Sequence, residues 1–236
     1  MIEFDHVTVK YGEKKALDSL SFHIDKGKIV SVIGQSGCGK TTMINCAAKL
    51  IDNDSGVIRM DQQFSLIPQG YSLLSWKNVM KNIELGLGIK KMDQSQRNKA
   101  CMEVMKQLGI DHLKDKYPQF LSGGEQQRVA IARALVLNPT VILMDEPFSS
   151  LDQITREKAQ ELLLEIKNKY HMTILMTTHS IEEACFLSDQ LFVMGKGKLS
   201  HVVKNEQNRD NTYRNSEHYH QMTIQIRTLL EESVMA

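Results

Sequence analysis

A glycine-rich segment that ends in Lys and Thr follows directly on the apolar run Ile29–Ile33. Its residues match the pattern G-x-x-x-x-G-K-[ST] at Gly34, Gly39, Lys40 and Thr41. Glycines let several backbone N–H groups point at one anion, and a helix that starts near Lys40 adds its positive end. Lys40 can then reach the outer phosphates of a nucleoside triphosphate, and the Thr41 hydroxyl can ligate Mg²⁺. The segment therefore predicts binding of a nucleoside triphosphate.

A second segment, Leu121–Arg128, combines a helix start with a pair of glycines. Ser122 and Glu125 have the S-x-x-E spacing of a capping box, which alone indicates only where a helix begins. Gly123 and Gly124 stand inside that box, where each costs up to about 1 kcal/mol relative to alanine. Without side chains they expose first-turn N–H groups, so this helix end could bind a phosphate held by another molecule.

Two acids and a histidine follow two further apolar runs. Asp145 and Glu146 end the run that begins at Val141, and His179 follows Thr173–Thr177 and Thr178. Ligands of α/β proteins bind at the carboxyl ends of parallel strands. There we expect Asp145 to bind Mg²⁺ through water, Glu146 to polarise the attacking water, and His179 to hold a γ-phosphate oxygen. Taken singly, the acids could be a solvated turn and the histidine could be structural.

The strand pattern predicts an α/β fold. Runs that are apolar throughout indicate parallel strands covered on both faces; they lie at Ile29–Ile33, Val141–Met144, Thr173–Thr177 and Leu191–Met194. Segments that alternate indicate an antiparallel edge; they lie at Ile2–Val9 and Ser19–Ile24. We expect two short strands to extend that antiparallel edge, at Gly56–Met60 and Phe64–Ile67.

The helical pattern places a lobe between Trp76 and Leu121 and a helix near Ile154–Tyr170. One apolar face in the lobe consists of Cys101, Val104, Met105 and Leu108. The expected organisation is one domain over residues 1–236, with a nucleotide-binding core and antiparallel edge from 1–68 and 139–203. A helical subdomain spans 69–138, and a tail with an amphipathic helix spans 204–236. The fold class is then a P-loop NTPase core with a mostly parallel sheet, an N-terminal antiparallel β subdomain and an inserted α-helical subdomain.

Composition excludes several classes of protein. The chain of 236 residues is 42% hydrophobic and 24% charged, which is typical of a globular domain. A net charge of +1 gives no support for nucleic-acid binding. No apolar run approaches the roughly 18–20 residues that span a bilayer, and the first residues do not resemble a secretory signal. Four cysteines without a C-x-x-C pair suggest free thiols in a reducing cytosol.

Two smaller features leave alternatives open. Cys38 lies inside the phosphate-binding segment and could act as a redox switch, although a passive loop residue is the simpler interpretation. His218 and His220 could bind a metal, but two residues of separation on a helix point them to different faces. A solvated tail or a packing helix is therefore the stronger expectation for this region.

The ordered set of segments resembles the ATP-binding subunit of ABC transporters over roughly residues 2 to 203. Gly34–Thr42 looks like its Walker A motif, and Val141–Glu146 like Walker B. Leu121–Gln126 is similar to the signature sequence, with Glu125 where Gln is commonest. Ser149–Asp152 resembles the D-loop.

Further roles follow from the resemblance alone. Gln69 looks like the Q-loop glutamine, His179 like the switch histidine, and Tyr11 like the aromatic that stacks on adenine. The resemblance implies ATP and Mg²⁺, with catalytic residues Lys40, Gln69, Glu146 and His179 and metal ligands Thr41, Gln69 and Asp145. The implied nucleotide contacts are Tyr11, Gly34, Ser36, Gly37, Cys38, Gly39, Lys40, Thr41, Thr42, Gln69, Ser122, Gly123, Gly124 and Asp152.

The resemblance also implies partners. These are a second copy in a head-to-tail dimer, a membrane permease whose coupling helix lies near the Q-loop, and an extracytoplasmic substrate-binding protein. The subunit is then expected at the cytoplasmic face of the membrane. The stretch Leu73–Trp76 resembles the L-L-P-W of importers of nitrate, sulfonate and taurine, with Ser75 in place of Pro. Alternatives are an ABC ATPase of a non-transport or export complex, such as one in cell division or lipid extrusion, and a P-loop kinase, which would lack the signature.

Overall fold

A computed structural model describes residues 1–89, 92–205, 207, 209 and 212–235. The strands are β1 (Ile2–Tyr11), β2 (Lys14–Ile24), β3 (Ile29–Ile33), β4 (Ser55–Met60), β5 (Phe64–Ile67), β6 (Val141–Asp145), β7 (Thr173–Thr178), β8 (Gln190–Gly195) and β9 (Lys198–Lys204). The α-helices are α1 (Lys40–Ala47), α2 (Val79–Glu84), α3 (Gln94–Gln107), α4 (Gly123–Leu135), α5 (Gln153–Tyr170), α6 (Ile181–Leu187) and α7 (Glu217–Met235).

The larger sheet has the strand order β5-β6-β7-β3-β8-β9. Its strands run parallel except for β9, an antiparallel edge strand that the sequence pattern did not predict. The pairing register places Ile33 beside Thr178, and Asp145 beside Thr177. The carboxyl ends of β3, β6 and β7 therefore meet at one edge, where α/β ligands bind.

The smaller sheet is antiparallel with the order β2-β1-β4, as expected for the N-terminal edge. The prediction for Phe64–Ile67 was wrong, because this strand pairs in parallel with β6. The burial of its side chains explains why this strand pairs with β6. Phe64 and Leu66 pack toward one hydrophobic core, and Ile67 lies in the other. A strand with both faces covered suits a parallel sheet.

Helix α4 connects the helical lobe to the parallel sheet. Its residues Val129 and Ile131 are fully buried in the larger hydrophobic core, which also contains the predicted α3 face with Cys101, Met105 and Leu108. Ser65 of β5 donates its hydroxyl hydrogen bond to the Ala134 carbonyl of α4. The lobe is thus packed against the sheet edge that carries Gln69 a few residues later.

The C-terminal helix α7 packs on α6 and β8. Met222 and Ile226 are buried on its inner face, with Leu229 and Leu230 partly buried beside them, so the predicted amphipathic face is confirmed. His218 and His220 are exposed. The polar stretch expected at 204–215 includes four residues, at 206, 208, 210 and 211, that lie outside the described residues. Within the described ranges, no helix combines the length and apolar character needed to cross a bilayer.

Candidate nucleotide-binding and hydrolysis site

The phosphate-binding loop connects β3 to α1, as the sequence predicts. Gly39 caps the helix with φ 112°, a left-handed conformation that favours glycine, and a Cβ there would collide with the Ala16 carbonyl oxygen. The Lys40 side chain is buried, and its ammonium donates to the carbonyl oxygens of Gly34 at 2.6 Å and Gln35 at 3.0 Å. The loop therefore holds the cationic group in place beside its own backbone.

The Cys38 thiol is buried within this loop. Loss of hydration raises its pKa, although the Lys40 ammonium acts in the opposite direction. A thiol with a raised pKa is less nucleophilic at neutral pH. The geometry therefore supports a passive loop residue rather than the redox switch that the sequence left open.

Glu146 turns out of β6 through an unusual backbone conformation. Its φ is 47°, which costs a non-glycine residue about 1–3 kcal/mol. The Glu146 N–H donates to both the carbonyl and the hydroxyl oxygen of Thr177, each at 3.1 Å, and these two bonds hold the strained residue. Strain of this kind is concentrated at functional sites. The side chain joins the cleft described below.

One oxygen of the Glu146 carboxylate has two polar neighbours from other loops. Gln69 Nε2 donates to Oε2 at 3.3 Å, and Nδ1 of His179 lies 3.2 Å from the same oxygen. Gln69 follows β5 and His179 follows β7, so neighbouring strand ends deliver all three side chains. The structure thus brings together three of the four residues predicted to be catalytic.

Asp145 lies one residue earlier and is buried at the end of β6. Its Oδ1 accepts a 2.5 Å hydrogen bond from the Thr177 hydroxyl, which fixes the carboxylate. Thr41 and Gln69 both line the cleft described in the next paragraph. A carboxylate, a hydroxyl and an amide oxygen are hard donors of the kind that Mg²⁺ takes. The donor set therefore fits the predicted metal.

These elements surround a cleft of about 380 Å³. Tyr11 is largely exposed at its rim, opposite Lys14 in the β1–β2 pairing. The sequence analysis did not predict that Lys14 and Ala16 line the cleft. Lys14 could have been predicted from its place in the hairpin, opposite Tyr11. Of the residues predicted for the phosphate loop and the neighbouring strand ends, four do not line this cleft: Gly34, Cys38, Asp145 and His179. The lining residues are Tyr11, Lys14, Ala16, Ser36, Gly37, Gly39, Lys40, Thr41, Thr42, Gln69 and Glu146.

The glycine-containing segment at 121–128 lies at a different cleft, of about 310 Å³. The capping box is present: Ser122 Oγ accepts from the Glu125 N–H at 3.3 Å, and the Ser122 N–H donates to Glu125 at 2.7 Å. That backbone hydrogen bond lowers the pKa of Glu125. Because the box uses only those two N–H groups, the N–H groups of Gly123 and Gly124 are the ones that a phosphate could use.

Gly124 also has a packing role that sequence reasoning missed. A Cβ at this position would collide with Thr155 Cγ2 in the first turn of α5. The same turn is capped by Asp152, whose Oδ1 accepts from the Thr155 N–H at 3.1 Å. Hydrogen bonds from Thr155 lower the pKa of Asp152. The predicted D-loop residue and the signature helix therefore lie side by side. Among the described residues, this cleft and the phosphate-loop cleft share no lining residue.

A phosphate loop at the end of β3, paired acids at the end of β6 and a histidine after β7 define a P-loop ATPase. The chain belongs to the ABC transporter family, whose model matches residues 17–149. It is 41% identical over 207 residues to the taurine import ATP-binding protein TauB of Rhizobium johnstonii, covering 82% of this chain and 79% of that protein. The protein of the same name from Escherichia coli K12 is 35% identical over 205 residues, covering 84% and 80%.

Solved structures give the same fold. A dimeric, post-hydrolysis ATP-binding cassette, MJ0796 bound to ADP and Pi, has a TM-score of 0.78 and 30% identity, covering 88% of this chain and all of that chain. The cassette cbiO1 of Clostridium perfringens has a TM-score of 0.81 and 25% identity, covering 96% and 94%. This protein is an ATP-binding and ATP-hydrolysing subunit of an ABC transporter.

Proposed function

We propose that two copies of this chain bind two ATP molecules head to tail. Each nucleotide lies between the phosphate loop of one copy and Ser122–Gly124 of the other. The observation that carries this proposal is the separation of the two phosphate-binding features, whose clefts share no lining residue in the part of the chain that the structure describes. A two-fold arrangement pairs each feature with its counterpart and closes the assembly. The dimeric, ADP-bound relative supports it.

The side chains at the first cleft have distinct tasks in hydrolysis. Glu146 accepts the proton of the attacking water, and His179 and Lys40 stabilise negative charge on the transferring phosphoryl group. Gln69 donates a hydrogen bond to the Glu146 carboxylate and so holds it toward the cleft. Mg²⁺ held by Thr41, Gln69 and, through water, Asp145 would neutralise phosphate charge. Tyr11 stacks on the adenine from the cleft rim, and Asp152 lies at the interface between the copies.

The membrane partner is a permease that contacts the helical lobe beside Gln69. Trp76 is 72% exposed and Phe120 is 68% exposed on this lobe, and large exposed apolar side chains of this kind suit a helix-in-groove contact. We infer import of a small organic solute or anion, because the relatives above are named for taurine import. The complex then includes an extracytoplasmic substrate-binding protein, and this subunit lies at the cytoplasmic face of the membrane. The alternative is a separate export or regulatory complex.

Co-purification tests the partner. The full-length chain carrying an affinity tag, expressed in its native cell and extracted in detergent, should bring down a permease together with a solute-binding protein. ATP hydrolysis by that complex should rise when the binding protein is loaded with a sulfonate such as taurine. A membrane partner without any solute-binding protein, and hydrolysis indifferent to solute, would favour the export or regulatory alternative.

Nucleotide binding tests the phosphate-loop assignment separately. Lys40→Ala should weaken ATP binding at least about tenfold, because the ammonium that contacts the outer phosphates is lost. Lys106→Ala removes an exposed lysine of α3 and serves as the matched control. Equal affinity in both variants, measured by titration with a fluorescent ATP analogue, would show that Lys40 does not contact the phosphates.

A further inference from the structure

Tyr71 joins two loops that lie at the ends of neighbouring strands. Its ring is buried in the larger hydrophobic core, and its hydroxyl lies 2.6 Å from Oγ of Ser150. Tyr71 comes two residues after Gln69, and Ser150 comes two residues before Asp152. Because β5 and β6 are adjacent in the sheet, the loops that follow them run side by side.

The backbone around Tyr71 is strained and held. Gly70, Tyr71 and Ser72 have φ values of 72°, 62° and 46°, all in the left-handed region. For the two non-glycine residues this costs about 1–3 kcal/mol each. The Arg133 guanidinium of α4 donates to the Tyr71 carbonyl at 2.6 Å and to the Ser72 carbonyl at 2.7 Å. These charge-assisted bonds fix the direction in which the tyrosine leaves the chain.

Ser150, the partner of Tyr71, is exposed, whereas Tyr71 is buried. It lies in the short segment between Glu146 and the start of α5. Its neighbour Ser149 is also exposed and bonds back to the Glu146 carbonyl through both its N–H, at 3.3 Å, and its hydroxyl, at 3.0 Å. The segment is thus held at one end by the strained Glu146 and at the other by the Asp152 cap of α5. The Tyr71 hydroxyl is the contact that fixes its middle to the loop of Gln69.

A buried tyrosine hydroxyl normally finds some partner, and the simplest explanation of this pair is that it satisfies the phenol. Two features indicate that the pair has a further role. The partner of the Tyr71 hydroxyl is the exposed Ser150, whose own hydroxyl could bond equally well to water. The conformation that presents the tyrosine is also unfavourable for non-glycine residues, and the half-buried Arg133 of another element holds it. Such strain indicates a positional requirement.

We propose that Tyr71 is a positioning residue for hydrolysis: through Ser150 it couples the loop that carries Gln69 to the segment that carries Asp152. A displacement of the Gln69 loop is then passed to the Asp152 segment through Tyr71 and Ser150, neither of which lines the nucleotide cleft. The inference needs only ATP hydrolysis by this chain, so it holds for an import, export or regulatory partner.

A double-mutant cycle tests the coupling in the full-length chain with Mg²⁺ and ATP. Tyr71→Phe and Ser150→Ala each delete one hydroxyl. Each should lower kcat about three- to tenfold, within the range that loss of one hydrogen bond can produce, with KM for ATP within about twofold. The double variant should be no slower than either single variant, because both substitutions remove the same bond. Ser150→Thr retains a hydroxyl and should restore most of kcat.

The matched control is Tyr213→Phe, which deletes another buried tyrosine hydroxyl, bonded to Asn205 at 3.1 Å in the C-terminal segment. Its melting temperature should fall about as much as that of Tyr71→Phe, with kcat unchanged. The proposal would be overturned by multiplicative losses in the double variant, by unchanged kcat in Tyr71→Phe, or by a loss in kcat that Tyr213→Phe shares.

Discussion

The carboxylate of Glu146 lies 3.2 Å from Nδ1 of His179, across the ends of two adjacent parallel strands. Glu146 reaches this position through a left-handed backbone conformation that Thr177 holds with two hydrogen bonds. Because Thr177 also fixes Asp145, one residue of β7 orients both the last residue of β6 and the glutamate that follows it. The site is therefore arranged by the sheet register rather than by any one loop.

The first prediction concerns Glu146→Gln. Loss of the general base should reduce kcat about 10²- to 10⁴-fold, while ATP affinity stays within about threefold, because the amide retains the size and polarity of the side chain. In size-exclusion chromatography with ATP, the variant should elute as a stable dimer. Glu165→Gln, an exposed glutamate of α5, is the control and should hydrolyse ATP normally. Rapid hydrolysis by Glu146→Gln would contradict the assignment.

The second prediction concerns the signature helix. Ser122→Arg should leave ATP binding by the monomer near normal but prevent nucleotide-driven dimerisation, since the bulky cation would fill the phosphate position contributed to the other copy. Ser95→Arg, at an exposed serine near the start of α3, provides the same bulk and charge at a helix that the proposal does not involve. If Ser122→Arg weakened ATP binding by the monomer, the signature would act within one chain and the head-to-tail arrangement would fail.

The third prediction concerns Glu183, in α6 four residues after His179. Burial raises the pKa of its carboxyl from the ordinary 4.5 to about 8; hydrogen bonds from Thr178 and Gln160 and the charge of Arg156 oppose this shift, and the Glu146 carboxylate adds to it. Between pH 4.5 and about 8, the folded protein therefore keeps a proton on Glu183 that the unfolded chain has already released. Stability should fall as pH rises through that window and level off above it.

Glu183→Gln mimics the protonated side chain and removes this titration. The free energy of unfolding of the unsubstituted protein, relative to the variant, should decrease by on the order of 2 kcal/mol between pH 6 and pH 8. Urea unfolding at three pH values measures it. Parallel profiles for the two proteins would mean that Glu183 is already ionised at pH 6.

Much of this arrangement could be predicted from the sequence, because it depends on local patterns. The phosphate loop needs only a strand, glycines and a helix start, and the capping box at Ser122 needs only two residues. The partner of β5 could not be predicted, since a four-residue strand carries little information about its neighbours and both faces are covered by distant segments. The left-handed Glu146 and the collision that excludes a side chain at Gly124 also depend on contacts between remote residues, here with Thr177 and Thr155.

The fourth prediction concerns the turn that presents Trp76. Asn82 of α2 is fully buried, and its amide accepts from the Leu74 N–H at 2.8 Å and donates to the carbonyls of Leu74, Lys77 and Asn78 at 2.8–3.1 Å. Asn82→Ala removes the partner of the Leu74 N–H and of the Lys77 carbonyl, whereas the Leu74 and Asn78 carbonyls keep backbone donors. The change should destabilise the protein by about 2–4 kcal/mol.

The same change should loosen the turn locally. Trp76 is the one tryptophan of the chain, so its fluorescence anisotropy reports the motion of this turn and should fall in Asn82→Ala. Asn98→Ala, at an exposed asparagine of α3, should alter neither stability nor anisotropy. Unchanged anisotropy together with reduced stability would show that the turn keeps its shape without Asn82. Because Trp76 lies on the surface proposed to meet the permease, a loosened turn should also weaken retention of the membrane partner, and detergent co-purification measures this directly.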